Sequence, residues 1–144
     1  MCLFNSEVIK PSEDLVCYKV VRVEDNGELV APYQLSPYKL NTRMTAVFEH
    51  SWEYEEKVFN GHSVQTYYKL GLGLMVEGGL FHSFVNKEDV IDFVRRYGNP
   101  EVKLQIHECI IPKDSGIVFV GKFRNRASYA SSEIIVTDKI INFQ

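Results

Sequence analysis

The segment from Gly78 to Pro100 narrows the choice of fold more than any other, because it holds the one clear helical period in a chain of short strand-like runs. Val90, Phe93, Val94 and Tyr97 recur at i, i+3, i+4 and i+7, so they share one apolar face. Asn86 stands where it can cap the helix, with Asp89 three residues on to interact with the first turn. Gly98-Asn99-Pro100 then ends it, since Gly takes the left-handed turn and Pro cannot continue a helix. The spacing predicts one main helix at about 86–97.

The rest of the chain reads as strands. Leu15 to Val23 is rich in β-branched residues, and Asp25-Asn26-Gly27 supplies a turn from which Glu28 to Ala31 returns. Pro32 and Pro37 bracket a loop that is no candidate for a central strand, because Pro cannot donate to a sheet ladder. Thr42 to Glu49 alternates, with Met44, Ala46 and Phe48 on one side. Asn60-Gly61 joins two further runs as a second hairpin. The stretch from Gly71 to Phe84 is apolar and rich in glycine. After the helix, Val102 to Ile111 reads as a long strand leading to Pro112, followed by short strands at Ile117 to Phe123, Glu133 to Thr137 and Ile140 to Phe143. Ala127 to Ser132 reads as a flexible polar loop. Strands do not alternate with helices, which disfavours a doubly wound parallel sheet. The pattern predicts a single compact α+β domain over residues 1–144, with a mostly antiparallel, twisted sheet.

Composition bounds the function. At 45% hydrophobic, with nine Phe and eight Tyr, the chain can bury a core without metals or disulfides. A net charge of −3 with interspersed signs shows no basic stripe, so no nucleic-acid partner is expected. Three cysteines, Cys2, Cys17 and Cys109, lie far apart and are odd in number, which fits a reducing compartment better than a disulfide framework. No apolar run approaches the ~18 residues of a membrane span, and the start lacks the pattern of a signal peptide. The expectation is a cytoplasmic protein with no membrane contact.

Several residues could carry chemistry. Gly71, Gly73, Gly78 and Gly79 match neither a nucleotide P-loop nor a dinucleotide fingerprint. The four histidines show no i, i+4 pair and there is no CxxC, so no metal is expected. His107 and Cys109 project to the same face of their strand, as a metal pair or a Cys-His nucleophile would. Removal of Met1 would leave Cys2 as an N-terminal nucleophile. In the strand Leu80 to Phe84, His82 shares a face with Leu80 and Phe84, while Ser83 takes the other side. His82 is then either a core histidine or a group exposed in a cleft before the helix. Glu133 opens an apolar strand after the polar run, as a catalytic or ribose-binding carboxylate could. Tyr33, Tyr38, Trp52 and Tyr54 lie in or near loops, where aromatic residues serve as interface anchors.

At these residues the chain resembles small uncharacterised proteins of gut bacteria and their phages. The likeness rests on Met1-Cys2-Leu3, Val16-Cys17-Tyr18-Lys19-Val20, Ser36-Pro37-Tyr38, Gly79 to Phe84, and Glu108-Cys109-Ile110-Ile111-Pro112. It implies a phage or mobile-element origin. The C-terminal half is also similar in order to the ADP-ribosyltransferase fold, through Phe81-His82-Ser83-Phe84 before the helix and Glu133-Ile134-Ile135-Val136 after it. That likeness implies NAD as cofactor, with Ser83 supporting the nicotinamide ribose and Glu133 activating the acceptor or holding the ribose hydroxyl. His82-Ser83-Phe84 stands where that fold carries Ser-Thr-Ser, and Tyr18-Lys19 where it carries Arg or His. No complete catalytic constellation is visible. The leading expectation is therefore a non-enzymatic binding protein that engages a host protein or a small nucleotide-like ligand. Tyr18, Lys19, Tyr38 and His82 are its binding residues, and no cofactor is needed.

Overall fold

The computed structural model describes residues 2–32, 37–45, 55–59, 62–66, 68–70, 73–77, 80–115 and 118–143. The strands before the helix are β1 (Cys2–Ile9), β2 (Leu15–Val23), β3 (Leu29–Val30), β4 (Pro37–Tyr38), β5 (Arg43–Thr45), β6 (Glu55–Phe59), β7 (His62–Thr66), β8 (Tyr68–Leu70), β9 (Gly73–Glu77) and β10 (Phe81–Phe84). The helix α1 (Lys87–Tyr97) follows, and then β11 (Leu104–Ile111), β12 (Val118–Phe123), β13 (Arg126–Ser131) and β14 (Glu133–Ile141). The main sheet runs β5-β14-β11-β2-β10-β13-β12-β1-β9-β8; β3 and β4 branch from β2, and β6 and β7 pair apart. Every pairing among the described residues is antiparallel. Among the described residues the predicted α+β class, with a mostly antiparallel sheet and one helix, is what forms. No helix among the described residues is long and apolar enough to cross a membrane.

One short link sets the curvature. β13 ends at Ser131 and β14 begins at Glu133, yet β10, β2 and β11 lie between them in the sheet. In a flat sheet four strand spacings amount to about 19 Å. Two Cα steps span about 7.6 Å at most. The sheet therefore curls until the two strand ends meet. Ser131 Oγ donates to the Glu133 carbonyl at 2.9 Å and Ser132 Oγ to the Ser115 carbonyl at 3.3 Å, which fixes this corner. The concave face so formed is filled by Cys17, Cys109, Ile111, Val118, Ile134 and Val136. The opposite, convex face is covered by α1, where Val90, Phe93 and Val94 pack on Phe84, Ile106 and Ile141.

The helix ends differ from expectation in mechanism. Asn86 takes the extended backbone of an N-cap, but its side chain makes no capping bond; its Nδ2 donates to Asp89 Oδ2 at 3.2 Å instead. Glu88 and Asp89 in the first turn and Arg95 and Arg96 in the last complement the helix dipole. Gly98 is not left-handed: its φ is −66°. Glycine is needed there for space, since a Cβ would sit 2.4 Å from the Val94 carbonyl oxygen. Tyr97 lies at the margin of the apolar face, 46% exposed, with its ring beside Phe93 and beneath the Arg124 guanidinium.

The strands follow the expected hairpins with several corrections. Gly27 takes φ +85° in the turn after β2, and its N–H donates to Glu24 at 2.8 Å. β6 and β7 pair from Phe59 and His62 outward, as a hairpin there requires; Asn60-Gly61 themselves lie outside the described residues. So do Ala46, Phe48, Tyr33, Trp52, Tyr54, Gly71, Gly78 and Gly79. The run expected as a polar loop, Ala127 to Ser132, is mostly strand β13, and the two strands expected after it are one, β14. β1 carries no clear alternation because its pairing with both neighbours shifts register near Asn5.

Candidate functional site

The concave face of β2 and β11 is a ladder of facing side chains. The two strands pair in register, so Leu15 faces Ile111, Cys17 faces Cys109, Lys19 faces His107 and Val21 faces Gln105. Apolar residues close one end, and the polarity rises through a thiol pair to a Lys-His pair. His107, 2% exposed, is not the solvent-facing residue that its place on a strand would allow. Its Nδ1 lies 2.8 Å from the Thr137 carbonyl and its Nε2 3.0 Å from Gln105 Oε1. Cys109 donates to the His107 carbonyl at 3.5 Å.

Lys19 is 6% exposed. Its ammonium donates to the His82 carbonyl and lies 5.5 Å from the centre of the Tyr38 ring. Among the described residues no carboxylate pairs with it. Ser83 sits one step from the Phe84–Tyr18 pair, which places it opposite Lys19 on the concave face. It is fully buried, and its hydroxyl has no hydrogen-bond partner. Its Oγ is close enough to Cys17 to help hold that thiol below the usual range, although the contact lacks full hydrogen-bond geometry.

Three of the four expected binding residues thus meet. Tyr38 and Lys19 contribute side chains, and His82 contributes its carbonyl. The His82 imidazole goes to the convex face, edge-on to Phe84 at 5.1 Å and Phe123 at 4.8 Å. Its Nε2 is buried without a partner. Burial first, and then the Lys19 charge, push its pKa down to about 3, so at pH 7 the imidazole is neutral and keeps a single ring N–H. The fourth residue, Tyr18, turns to the convex face and packs against the helix cluster. Burial and then Glu108 raise its phenol above the usual value.

Glu133 and Ser83 do not share a cleft. Ile134 and Val136 point into the concave core, so Glu133, alternating with them, takes the convex side. There it is clasped by Arg43 and accepts from Thr45 Oγ1 at 3.4 Å, while Arg43 also holds Asp114 at 2.9 Å. This corrects the joint placement that the ADP-ribosyltransferase likeness implies. Cys2 begins β1, and Gly73 begins β9. Among the described residues, no three His, Cys, Asp or Glu side chains are grouped to hold a metal ion.

The Lys19–Ser83 juxtaposition and the facing thiols were not anticipated. Their signal lay in two mirrored patterns, Cys17-x-Lys19 and His107-x-Cys109, which antiparallel pairing superposes. Compared with known proteins, the chain matches no family model, no curated protein and no solved structure.

Proposed function

We propose that this chain is a binding protein without catalytic activity, and that it takes a small nucleotide-like ligand whose anionic group meets Lys19. The observation that carries this reading is the buried Lys19 ammonium without a carboxylate partner among the described residues. Burying an unpaired charge costs several kcal/mol. One charge-assisted hydrogen bond returns about 1.5–3 kcal/mol, and a partly exposed ring contact adds about 0.5–2 kcal/mol. An anion would complete the set. Ser83 supports it, since its unpartnered hydroxyl can donate one further hydrogen bond to the same group. The Tyr38 ring beside Lys19 places an aromatic group next to the same anion. A binding role also agrees with a His82 held neutral and a Glu133 engaged by Arg43, which leaves neither free for acid–base work.

The test is thermal stability against inorganic phosphate, NAD, ADP-ribose and cyclic nucleotides. A ligand at 100 times its dissociation constant adds about 2.7 kcal/mol. The expected result is a rise in melting temperature with at least one of these compounds that is lost in Lys19→Met and reduced in Ser83→Ala. If no compound shifts the wild type, or if the shift survives Lys19→Met, the ligand reading fails and a protein partner becomes the reading to pursue.

A further inference from the structure

Cys17 and Cys109 are direct cross-strand partners on adjacent antiparallel strands, and both are free and fully buried. Facing residues in such a pair have Cα atoms about 4.5 or 5.5 Å apart, depending on their place in the ladder. Both separations fall within the range of about 4.4–6.8 Å that a disulfide spans without moving the backbone. The two side chains necessarily lie on one face. We infer that Cys17 and Cys109 are a redox modification site, which a small peroxide converts to a Cys17–Cys109 disulfide.

The surroundings divide the two roles. The Cys109 thiol, followed by the Ser83 hydroxyl and the Lys19 charge, holds the Cys17 thiol below its ordinary range against the opposing effect of burial. Cys109 is raised by burial and by Cys17. Cys17 is therefore the attacking sulfur. Its thiolate takes the distal oxygen of the peroxide as the O–O bond breaks, giving a sulfenic acid and releasing hydroxide, which is protonated to water. Cys109 sulfur then attacks Cys17 sulfur; the S–S bond forms, the S–O bond breaks, and the Cys109 proton leaves with the hydroxyl as a second water. Two thiols lose two electrons and one peroxide gains them. Full burial of both sulfurs slows their reaction and bars a bulky disulfide such as that of glutathione, leaving a reactant of peroxide size.

The experiment treats the whole protein with hydrogen peroxide or, separately, with glutathione disulfide, blocks free thiols, and maps the digest by mass spectrometry. The expected result is a Cys17–Cys109 linked peptide with peroxide, reversed by dithiothreitol and absent with glutathione disulfide. The oxidised protein should also unfold at a higher urea concentration than the reduced one. The inference is overturned if Cys17 and Cys109 stay free while Cys2 is oxidised, if either links to Cys2 instead, or if glutathione disulfide forms the bond as readily as peroxide. The mapping uses the wild-type chain and does not depend on nucleotide binding, so failure of the ligand reading leaves it standing.

Discussion

The two faces of the β10–β2–β11 segment make an instructive contrast. On the convex side Phe84, Tyr18 and Ile106 meet α1, and closure comes from ring and aliphatic packing. On the concave side the same strands present two thiols, a lysine, a serine and a histidine, all buried. Successive residues of one strand therefore serve opposite purposes: Phe84 and Tyr18 hold the helix, while Ser83 and Lys19 build a polar interior. The convex face is closed by apolar packing, whereas the concave face also buries polar groups whose desolvation costs stability.

The largest effect expected on this contrast comes from His82, a buried ring on the convex side whose Nε2 has no hydrogen-bond partner. Folded His82 stays neutral down to about pH 3, whereas an unfolded imidazole gains its proton below about 6.5. The unfolded chain thus binds more protons in that window, and stability falls as the pH drops through it. The loss reaches at most about 5 kcal/mol, at about 1.4 kcal/mol per pKa unit. Urea unfolding from pH 7 to 3 should show this slope, and His82→Phe should flatten it. An unchanged slope in the variant would place the acid sensitivity elsewhere.

Next in size is Phe84→Ala, which removes a ring packed against Phe93 and Phe123 and should cost about 3–5 kcal/mol. A loss below about 1 kcal/mol in chemical denaturation would mean that the helix face does not carry the fold. Lys19→Met should act in the opposite direction. Exchanging a buried charge without a carboxylate partner for an apolar chain of similar length removes its desolvation cost and loses one hydrogen bond to the His82 carbonyl, so the change should be neutral or stabilising. A clear destabilisation would show that Lys19 is a structural strut and would blur the contrast between the faces. Gly98→Ala is the mildest, at about 1–3 kcal/mol from the clash with the Val94 carbonyl. Since Gly98 has negative φ, an Asn in its place should fare no better than Ala, whereas a left-handed cap would tolerate Asn.

Elements written in side-chain period were legible in the sequence. β2 spans the residues its β-branched run predicts, and α1 begins one residue inside the expected start. Where small or polar residues replace bulky ones, the reading failed. β13 is built from Arg126-Ala-Ser-Tyr-Ala-Ser131, with Ser128 and Ser131 fully buried and their hydroxyls bonded to nearby carbonyls. Its Ala130 packs beneath Leu3 and Phe119, contacts that no local period announces. Asp138 and Lys139 are exposed in the middle of β14, which made one strand look like two. Of the candidate site, Tyr38 and His82 could be named from type and place, and Lys19 through the likenesses that its strand carries. Their meeting depends on strand order, and hairpin signals fix only neighbours.

The single residue at Ser132 also governs the order in which the chain can fold. The β12–β13 hairpin closes through two left-handed residues, Arg124 and Asn125, and needs no distant partner. β14, one residue further on, must find β11 and also β5, whose Thr45 lies 88 residues before Glu133. Such distant closures are slow, because loop entropy is lost before the contacts that reward it are made. A chain halted at that point would already show its hairpin and helix while the edge of β11 remained open. Ile134 and Val136 reach the core only when β14 docks, so the packing around Cys17 and Cys109 is completed by that docking and opens when β14 detaches.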